Sequence, residues 1–379
     1  MKRIHLDHNA TTPLRREARE ALLGALDAGL GNASSVHGAG RRARAAVDEA
    51  RERVAGALCI PEDSVVFTSG GTESNNLALF GGLAAGPPGM RLVTTTIEHA
   101  AVQAPAARLE SLSRDVRWVP VDRHGTVDMV ALGLAAAGGP ALVSVMGANN
   151  EIGSTVDLGE VRAQVGDAAV FHSDSVQLLG KRPLDLMGSG VDLASLSAHK
   201  VGGPIGVGVL FRRPGTPMAP TTFGGAQEGE LRPGTENVPA IVAAAAAIDH
   251  AVQEVDAFIR HTGRLADLLW RKLQIILPDL SLNGPPIDDP SRLPNTLNIS
   301  APTGDARTLV ARLDLVGLEV SAGSACASGS LEPSHVLGAL GLGADRARSG
   351  LRISLSGASQ EADIHTCVER LGRTLGGAS

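Results

Sequence analysis

The sequence predicts an α/β protein with a mostly parallel seven-stranded sheet flanked by helices, followed by a smaller α+β domain. Between about residues 64 and 211, short β-rich runs alternate with helical stretches, which is typical of parallel strands joined by helices. An Ala-rich helical stretch and then a proline-rich stretch, residues 284–294, separate this region from the remainder. At 379 residues, the chain is long enough for two domains and a sizeable core.

Each predicted strand is a β-rich run bounded by turn-forming or polar residues. The seven runs of the sheet are residues 65–68, 92–95, 117–121, 141–145, 169–171, 193–196 and 207–211. Residues 240–273 are predicted to form one long helix or a helix pair that leaves this domain. In the smaller domain, residues 295–300 and 317–321 have the pattern of strands.

Charge and composition argue against nucleic-acid binding. The net charge is −6, and there is no long basic run. Arg41, Arg42 and Arg44 precede Val47 and Val54 at helical spacing, so they are better interpreted as the solvated face of an amphipathic helix. We therefore expect no direct nucleic-acid partner.

The N-terminus has no apolar signal segment, and no apolar run approaches the roughly 18 residues of a membrane span. We therefore expect a soluble cytoplasmic protein without a membrane partner. Cys59, Cys326 and Cys367 are widely spaced, which suggests neither a disulfide framework nor a zinc cluster, and no metal site is predicted.

Lys200 lies in the sequence Ser-Ala-His-Lys-Val, residues 197–201, between an apolar stretch and a glycine-rich turn. This places a lysine at the end of a predicted buried strand. Burial disfavours the ammonium form and lowers the lysine pKa, which suits Schiff-base chemistry. Taken alone, such a lysine is more often a paired or snorkelling residue, and both interpretations remain open.

Asp174 follows another strand-like run, so the carboxylate is expected at the carboxyl end of a strand, where open α/β sheets bind ligands. There it would pair with a pyridinium nitrogen, the partner that pyridoxal 5'-phosphate (PLP) needs to act as an electron sink. The alternative interpretation is a helix N-cap, which aspartate also favours.

Gly71 and Thr72 lie where a β-rich run meets small residues and a helical pattern begins. Free N–H groups and the helix dipole at such a position suit a phosphate, and Thr72 adds a hydroxyl. An ordinary capped helix would have the same pattern. No lysine follows the glycines as in a P-loop, so that motif is disfavoured.

Together these segments resemble the PLP-dependent enzymes of fold type I. The C-terminal third narrows the resemblance to cysteine desulfurases of the NifS/IscS type, within the class-V aminotransferases. That family has a similar mobile loop with a persulfide-forming cysteine, followed by Leu-Glu-Pro-Ser. Ordered motifs carry the resemblance over essentially the whole chain: residues 6–13, 31–37, 67–76, 149–153, 171–177, 197–201, 321–337 and 351–355.

The resemblance assigns residues to PLP. Lys200 would form the Schiff base and later move the substrate Cα proton, Asp174 would keep the ring nitrogen protonated, and His99 would stack on the ring and take part in proton transfer. Without the resemblance, a histidine after a strand is more often structural. The other implied cofactor contacts are Gln177 to the phenolic oxygen, and Gly71, Thr72, Ser197 and His199 to the phosphate.

Thr235 matches a family threonine that reaches the phosphate of the partner subunit. The resemblance therefore implies a homodimer with shared active sites. Asn149 and Arg352 match residues that bind the substrate α-carboxylate, and Asn32 is a further candidate near that group. Arginine suits this role because its planar fork engages a carboxylate through two charge-assisted hydrogen bonds, although a strand-edge surface arginine is the alternative.

Cys326 matches the persulfide-forming cysteine. It lies in a Gly/Ser/Ala-rich stretch, which is typical of an exposed, flexible loop at about residues 321–335. Cys59 and Cys367 have surroundings more typical of buried, inert cysteines. The implied reaction converts L-cysteine to L-alanine and leaves sulfur on Cys326 as a persulfide, with the thiolate as the reactive form.

The implied domains are a large PLP-binding domain, residues 15–255, and a small domain of residues 1–14 plus 256–379. The sulfur acceptor remains open between an iron–sulfur scaffold, a tRNA-thiolation protein and a biosynthetic sulfur carrier. The sequence stops soon after Leu375, where members that feed the scaffold often carry a longer tail, so docking of that partner is in doubt. Alternative functions are a selenocysteine lyase, another PLP-dependent lyase or aminotransferase, and a non-enzymatic scaffold that retained the fold.

Overall fold

The structure is a computed structural model that describes residues 2–301, 304–323 and 333–376. Its strands are β1 Ile4–His5, β2 Val65–Thr68, β3 Arg91–Thr95, β4 Val116–Val119, β5 Ala141–Ser144, β6 Val170–Asp174, β7 Leu193–Ser197, β8 Gly208–Arg212, β9 Ser281–Asn283, β10 Thr296–Ser300, β11 Leu318–Glu319, β12 Ser321–Ala322 and β13 Gly350–Ser354. Its α-helices are α1 Arg16–Asp27, α2 Gly38–Leu58, α3 Gly71–Asn76, α4 Gly82–Ala85, α5 Ala100–Ser111, α6 Met129–Ala136, α7 Leu158–Val165, α8 Val238–Gln253, α9 Val255–Ile276, α10 Ala306–Leu315, α11 His335–Ala339, α12 Ala344–Arg348 and α13 Glu361–Gly376.

The main sheet has seven strands in the order β2-β8-β7-β6-β5-β3-β4. Strand β8 is antiparallel to both β2 and β7, and the remaining neighbours are parallel. The mostly parallel seven-stranded sheet predicted from the sequence is therefore confirmed. Because β6 and β7 are parallel neighbours, their carboxyl ends lie side by side, which brings the ends of these two strands together at one edge.

Helices α1, α2 and α8 pack together beside the sheet. Alanines fill much of the buried face of α8, and small side chains permit close helix approach. Helix α2 buries Ala43, Val47 and Val54, while Arg41 and Arg42 are exposed, as expected of an amphipathic helix. The largest hydrophobic cluster joins this helical layer to the sheet and fixes the strand ends.

A second sheet, in the order β12-β13-β10-β9, is antiparallel and forms the base of the smaller unit. Strand β1 pairs in parallel with β11, and Ile4 and Leu6 share a hydrophobic cluster with residues of this C-terminal unit. The run at 317–321 forms two short strands in different sheets instead of one. The division at residues 15–255 stays a prediction.

The Ala-rich stretch forms the helix pair α8 and α9, one of the two predicted arrangements. Within the described residues, no single helix combines the length and apolar character needed to cross a bilayer. The pair α8 and α9 meets those criteria only when its two helices are counted together, and they are bent by 69°.

Candidate active site

One cavity lies at the carboxyl edge of the main sheet, beside Asn9 and Ala10 of the N-terminal segment. Nine residues predicted as site residues line it: Gly71, Thr72, His99, Asp174, Gln177, Ser197, His199, Lys200 and Arg352. Its other lining residues are Asn9, Ala10, Asn75, Met146, Ala148, Asn150 and Val176. The fold thus gathers residues from widely separated motifs into one space.

Lys200 lies in a short 3-10 helix, Ala198–Val201, directly after β7. Leu193 and Leu196 of that strand are fully buried, so packing fixes where the strand ends. The Nζ atom of Lys200 donates to the carbonyl oxygens of Asn9 and Ala10, each at 2.7 Å. The lysine is therefore a half-buried amine held at the cavity by two backbone acceptors.

Asp174 is the last residue of β6 and is 5% exposed. Its Oδ2 atom accepts from Nδ2 of Asn75 at 2.7 Å, and its Oδ1 atom accepts from the N–H of Val176 at 3.1 Å. Residues 176–181 form turns, so Asp174 does not cap a helix. The two donors orient the carboxylate in the cavity wall.

The segment from β2 to α3 forms a cradle at the cavity. Gly70 has a φ of 153°, a conformation that favours glycine, and as the N-cap it offers no side chain to the helix. A Cβ atom on Gly71 would lie 2.8 Å from Cγ2 of Val176, so this close approach requires glycine. The first N–H groups of a helix lack intrahelical acceptors and suit an anion.

Gln177, which is buried, and His199, which is half-buried, lie beside Lys200. Gln177 is 4% exposed, which excludes a surface glutamine, and its Nε2 atom donates to the carbonyl oxygen of Asn9 at 3.1 Å. The Nδ1 atom of His199 lies 3.2 Å from Oγ1 of Thr11. Burial, and then the charges of Lys200 and Lys181, lower the pKa of His199 to about 4, so this imidazole is neutral at neutral pH.

Arg352, on β13, is 1% exposed, which excludes the alternative of a surface arginine. One guanidinium nitrogen donates to Oδ1 of Asp7 at 2.5 Å, and another donates to the carbonyl oxygen of Asn150 at 3.2 Å. Its Nε atom has no hydrogen-bond partner among the described residues. Arg352 also lines the cavity, so its wall includes a buried guanidinium with one unused donor.

His99 lines the cavity and also caps α5, because its Nδ1 atom accepts from the N–H of Ala101 at 3.1 Å. The preceding Glu98 is fully buried, and its Oε1 atom accepts from Thr95 Oγ1 and from the N–H of Met146, both at 2.8 Å. Burial, with a smaller contribution from the Asp174 carboxylate, raises the pKa of Glu98 to about 8. The two hydrogen bonds oppose this rise, because they stabilise the ionised form of Glu98.

Three predicted residues do not line this cavity. Asn149 is 1% exposed, and its amide bonds the backbone of Ile97 and Glu151. Asn32 is exposed and accepts from the N–H of Ser34, and Thr235 is also exposed. Their predicted roles in binding substrate and phosphate stay predictions.

Cys326 and most of its predicted loop lie outside the described residues. Cys367 is buried in α13, and burial raises the pKa of its thiol to about 12, as expected of an inert cysteine. Cys59 is exposed, so its interpretation as a buried residue was wrong. It follows α2 in the left-handed conformation, with a φ of 52°, where the chain leaves the helix.

Asp7, Asn9, Asn75 and Lys181 contact the predicted site residues but were not recognised as members of the site from the sequence. Asp7, Asn9 and Asn75 lie inside the stretches that carry the family resemblance, which was the available signal. Lys181 lies four residues after Gln177, a spacing that brings two side chains together in a helical turn.

Comparisons with known proteins identify the family. The model of the class-V aminotransferases matches residues 4–366. The chain belongs to this family. A cysteine desulfurase IscS from Dictyoglomus turgidum is 42% identical over 99% of this chain and 95% of its own length. The predicted resemblance to cysteine desulfurases is therefore confirmed.

Solved structures of the family agree with this assignment. A NifS-like protein is similar with a TM-score of 0.91 and 34% identity, covering 99% of both chains. A structure titled as SspA in complex with cysteine is similar with a TM-score of 0.79 and 29% identity, covering 94% of this chain and 99% of its own. These class-V relatives confirm the PLP fold type I architecture.

The class-V family is PLP-dependent, and the cavity fits that cofactor. An amine at Lys200, a carboxylate at Asp174 and a helix N-terminus at Gly71 line one cavity, and they are the groups that would serve as Schiff-base partner, ring-nitrogen partner and anion site for PLP. The glycine cradle is decisive for the fit, because a Cβ atom on Gly71 would push against Val176 in the cavity wall.

Proposed function

We propose that this PLP-dependent cysteine desulfurase converts L-cysteine to L-alanine and receives the sulfur on Cys326. The observation that carries the proposal is the pair Asp174 and Lys200, which lie at and just beyond the carboxyl ends of the adjacent parallel strands β6 and β7 and line one cavity. The relatives named as cysteine desulfurases, and the related structure with bound cysteine, support L-cysteine as the substrate.

PLP, when bound, supplies an electron sink that weakens the bonds to the substrate Cα and Cβ atoms. Lys200 would hold the cofactor covalently, and Asp174 would keep the ring nitrogen protonated, since Asn75 and Val176 already orient its carboxylate. His99 would lie against the ring. The remaining proposed cofactor contacts are Gly71, Thr72, Ser197 and His199 for the phosphate, and Gln177 for the phenolic oxygen.

Arg352 is the proposed anchor of the substrate carboxylate. Its burial strengthens a charge-assisted hydrogen bond, and its Nε atom has no partner among the described residues. Asp7 and the carbonyl oxygen of Asn150 hold the remainder of the guanidinium in a fixed plane. Asn149 and Asn32 are the further candidates for this role.

Three residues would handle protons and sulfur. The amine of Lys200, once released by the substrate, would move the Cα proton, with His99 as the second proton-transfer group. The Cys326 thiolate would attack the substrate sulfur and form a sulfur–sulfur bond as the Cβ–sulfur bond breaks. The electron pair of the broken bond stays with the carbon, which is protonated as alanine forms.

A homodimer would complete the site, because Thr235 is exposed and does not line the cavity of its own chain. The side chains of Phe223 and Val36, each 88% exposed, lie on neighbouring loops, since Gln227 bonds both Ser34 and Gly234. Such exposed apolar side chains favour burial against a second copy.

The sulfur acceptor would be an iron–sulfur scaffold, a tRNA-thiolation protein or a biosynthetic sulfur carrier, and we propose a cytoplasmic location. The selenocysteine lyase and other PLP-dependent alternatives are not favoured, because the full-length relatives are cysteine desulfurases.

Release of alanine from L-cysteine tests this function. We expect the wild type and a Cys59→Ala control, which alters an exposed cysteine, to release alanine, whereas Cys326→Ala retains PLP and releases none. Alanine from all three proteins would refute the role of Cys326, and alanine from none of them, with PLP bound, would refute the desulfurase function.

A further inference from the structure

Lys181 is a second lysine at the cavity to which the proposed reaction gives no role. The sequence contains four lysines, and Lys181 and Lys200 are both in this region. Lys181 is 3% exposed and lies in the turns that follow β6, four residues after Gln177. A lysine is almost never this buried unless its amine has specific partners.

The partners of Lys181 connect it to the reactive lysine. Its Nζ atom donates to Oδ1 of Asn9 at 3.0 Å and to Oε1 of Gln177. The Nε2 atom of Gln177 donates to the carbonyl oxygen of Asn9 at 3.1 Å, and Lys200 donates to the same carbonyl at 2.7 Å. A continuous chain of hydrogen bonds therefore links Lys181 to Gln177, Asn9 and Lys200.

These contacts fix the orientation of the oxygen and nitrogen ends of the Gln177 amide. A glutamine amide can turn over and exchange its donor and acceptor ends unless its partners prevent this. Here an amine holds the oxygen end, and a carbonyl, which can only accept, holds the nitrogen end. The amide nitrogen has two N–H groups, so one remains for a ligand in the cavity that Gln177 lines.

Burial and neighbouring positive charges both act on the amine of Lys181. Burial, and then the charges of Lys200 and Arg352, lower its pKa well below the usual lysine range. The other titratable groups that feel its charge are His8 and His199, while Asp7 pairs with Arg352 instead. Its hydrogen-bond acceptors are both neutral amides, so no carboxylate neutralises it.

We propose that Lys181 is a positioning residue that orients Gln177, so that this amide can only donate to the phenolic oxygen of PLP and thereby stabilises its deprotonated form. The proposal rests on the proposed function, because it places PLP on Lys200. Loss of this donor would favour the protonated form of the Lys200–cofactor linkage.

The test is a pH titration of the visible absorption band of the PLP-loaded protein. Lys181→Met removes the donor and keeps much of the side-chain volume, and Lys272→Met makes the same change at a half-buried position of α9 that does not line the cavity. We expect the pKa of the band to rise by about half a unit or more in Lys181→Met, a roughly threefold change in the acid dissociation constant. Lys272→Met should titrate as the wild type does.

A double-mutant cycle separates orientation from charge. If Lys181 acts through Gln177, Lys181→Met should add nothing in a Gln177→Ala background. Lys181→Gln keeps a donor without a charge and should restore most of the wild-type titration. Lys181→Ala provides the same comparison if Lys181→Met does not fold.

Unchanged titration in Lys181→Met, or its full shift in the Gln177→Ala background, would overturn this role of Lys181 and leave the proposed function intact. A wild-type protein that binds PLP without a lysine-bound absorption band would instead refute the placement of PLP on Lys200. The two failures are therefore distinguishable.

Discussion

Glu98, His172 and His199 show how burial sets the charge of single residues around the cavity. Burial lowers the pKa of His172 to about 3, and that of His199 is about 4, so both rings are neutral at neutral pH. Glu98, with a pKa of about 8, is mostly protonated there. The Asp174 carboxyl group, which contributes to the raised pKa of Glu98, therefore has a mostly protonated Glu98 near it at neutral pH.

Glu98 should make the protein less stable as the pH rises. The pKa of Glu98 is about 8 in the folded state against an ordinary glutamate value of 4.5, so between these values the unfolded chain is ionised while the folded protein holds a proton. The free energy of unfolding should fall by about 1.4 kcal/mol per pH unit across this window. Glu98→Gln, which does not titrate, should lack this fall.

Denaturant unfolding of the PLP-loaded proteins between pH 5 and pH 8 checks this. Glu52→Gln changes an exposed glutamate of α2 and should follow the wild type. Parallel pH dependence in the wild type and Glu98→Gln would show that Glu98 ionises normally in the folded protein.

At the scale of elements, the site is assembled from strand ends and one helix N-terminus. Strands β6 and β7 deliver Asp174 and Lys200, and the β2–α3 turn supplies the cradle. Helix α3 continues through a π-helix, Leu77–Gly81, into α4, so the N-terminus at Gly71 belongs to a longer helical run. The dipole of this run favours an anion at the cradle.

Gly71→Ala should weaken PLP binding at this element. The added Cβ atom would lie 2.8 Å from Cγ2 of Val176 and 3.7 Å from Cβ of Ser197, so Val176 would have to move within the cavity wall. We expect the PLP dissociation constant to rise about tenfold or more, which corresponds to about 1.4 kcal/mol.

Equilibrium titration with PLP measures this change. Gly56→Ala, in α2, is the matched control, because a Cβ atom there meets nothing within 4 Å and alanine favours a helix. Equal PLP affinity in Gly71→Ala and the wild type would mean that the cradle does not hold the phosphate.

In the molecule as a whole, Thr235 and Phe223 lie on neighbouring loops, and a single chain leaves both of them exposed. Two ion pairs tie this region to α2, since Arg44 bonds Glu236 at 2.6 Å and Arg51 bonds Glu228 at 2.7 Å. The acidic partner in each pair is almost completely buried, which fixes the loops on the body of the molecule. A fixed, exposed apolar loop suits a specific interface.

In the proposed homodimer, Thr235→Ala should lower PLP retention through the neighbouring subunit without changing the assembly. The lost hydroxyl would remove one hydrogen bond to the phosphate, so we expect a several-fold rise in the PLP dissociation constant. Light scattering and cofactor absorbance measure assembly and retention, with Thr308→Ala, an exposed threonine of α10, as the control. A monomeric wild type with full PLP occupancy would contradict the shared site.

Short-range sequence patterns predicted most local elements and most of the residues that line the cavity. Strand β2 was predicted at its observed bounds, and β3, β5, β7 and β8 to within a residue at each end, because buried strands, both parallel and antiparallel here, are apolar runs bounded by turn-forming residues. The positions of Asp174 and Lys200 after such runs followed from the same short-range pattern.

The contacts between residues far apart in the sequence were found only from the tertiary structure. Arg352 pairs with Asp7 over a separation of 345 residues, and Asn9 joins Gln177, Lys181 and Lys200. No sequence pattern indicated that these residues would pair. Hydrophobic periodicity indicates which face of an element is buried, but it carries no information about hydrogen-bond partners. Closure of the N-terminal segment against both sheets creates these contacts, and with them the network around the reactive lysine.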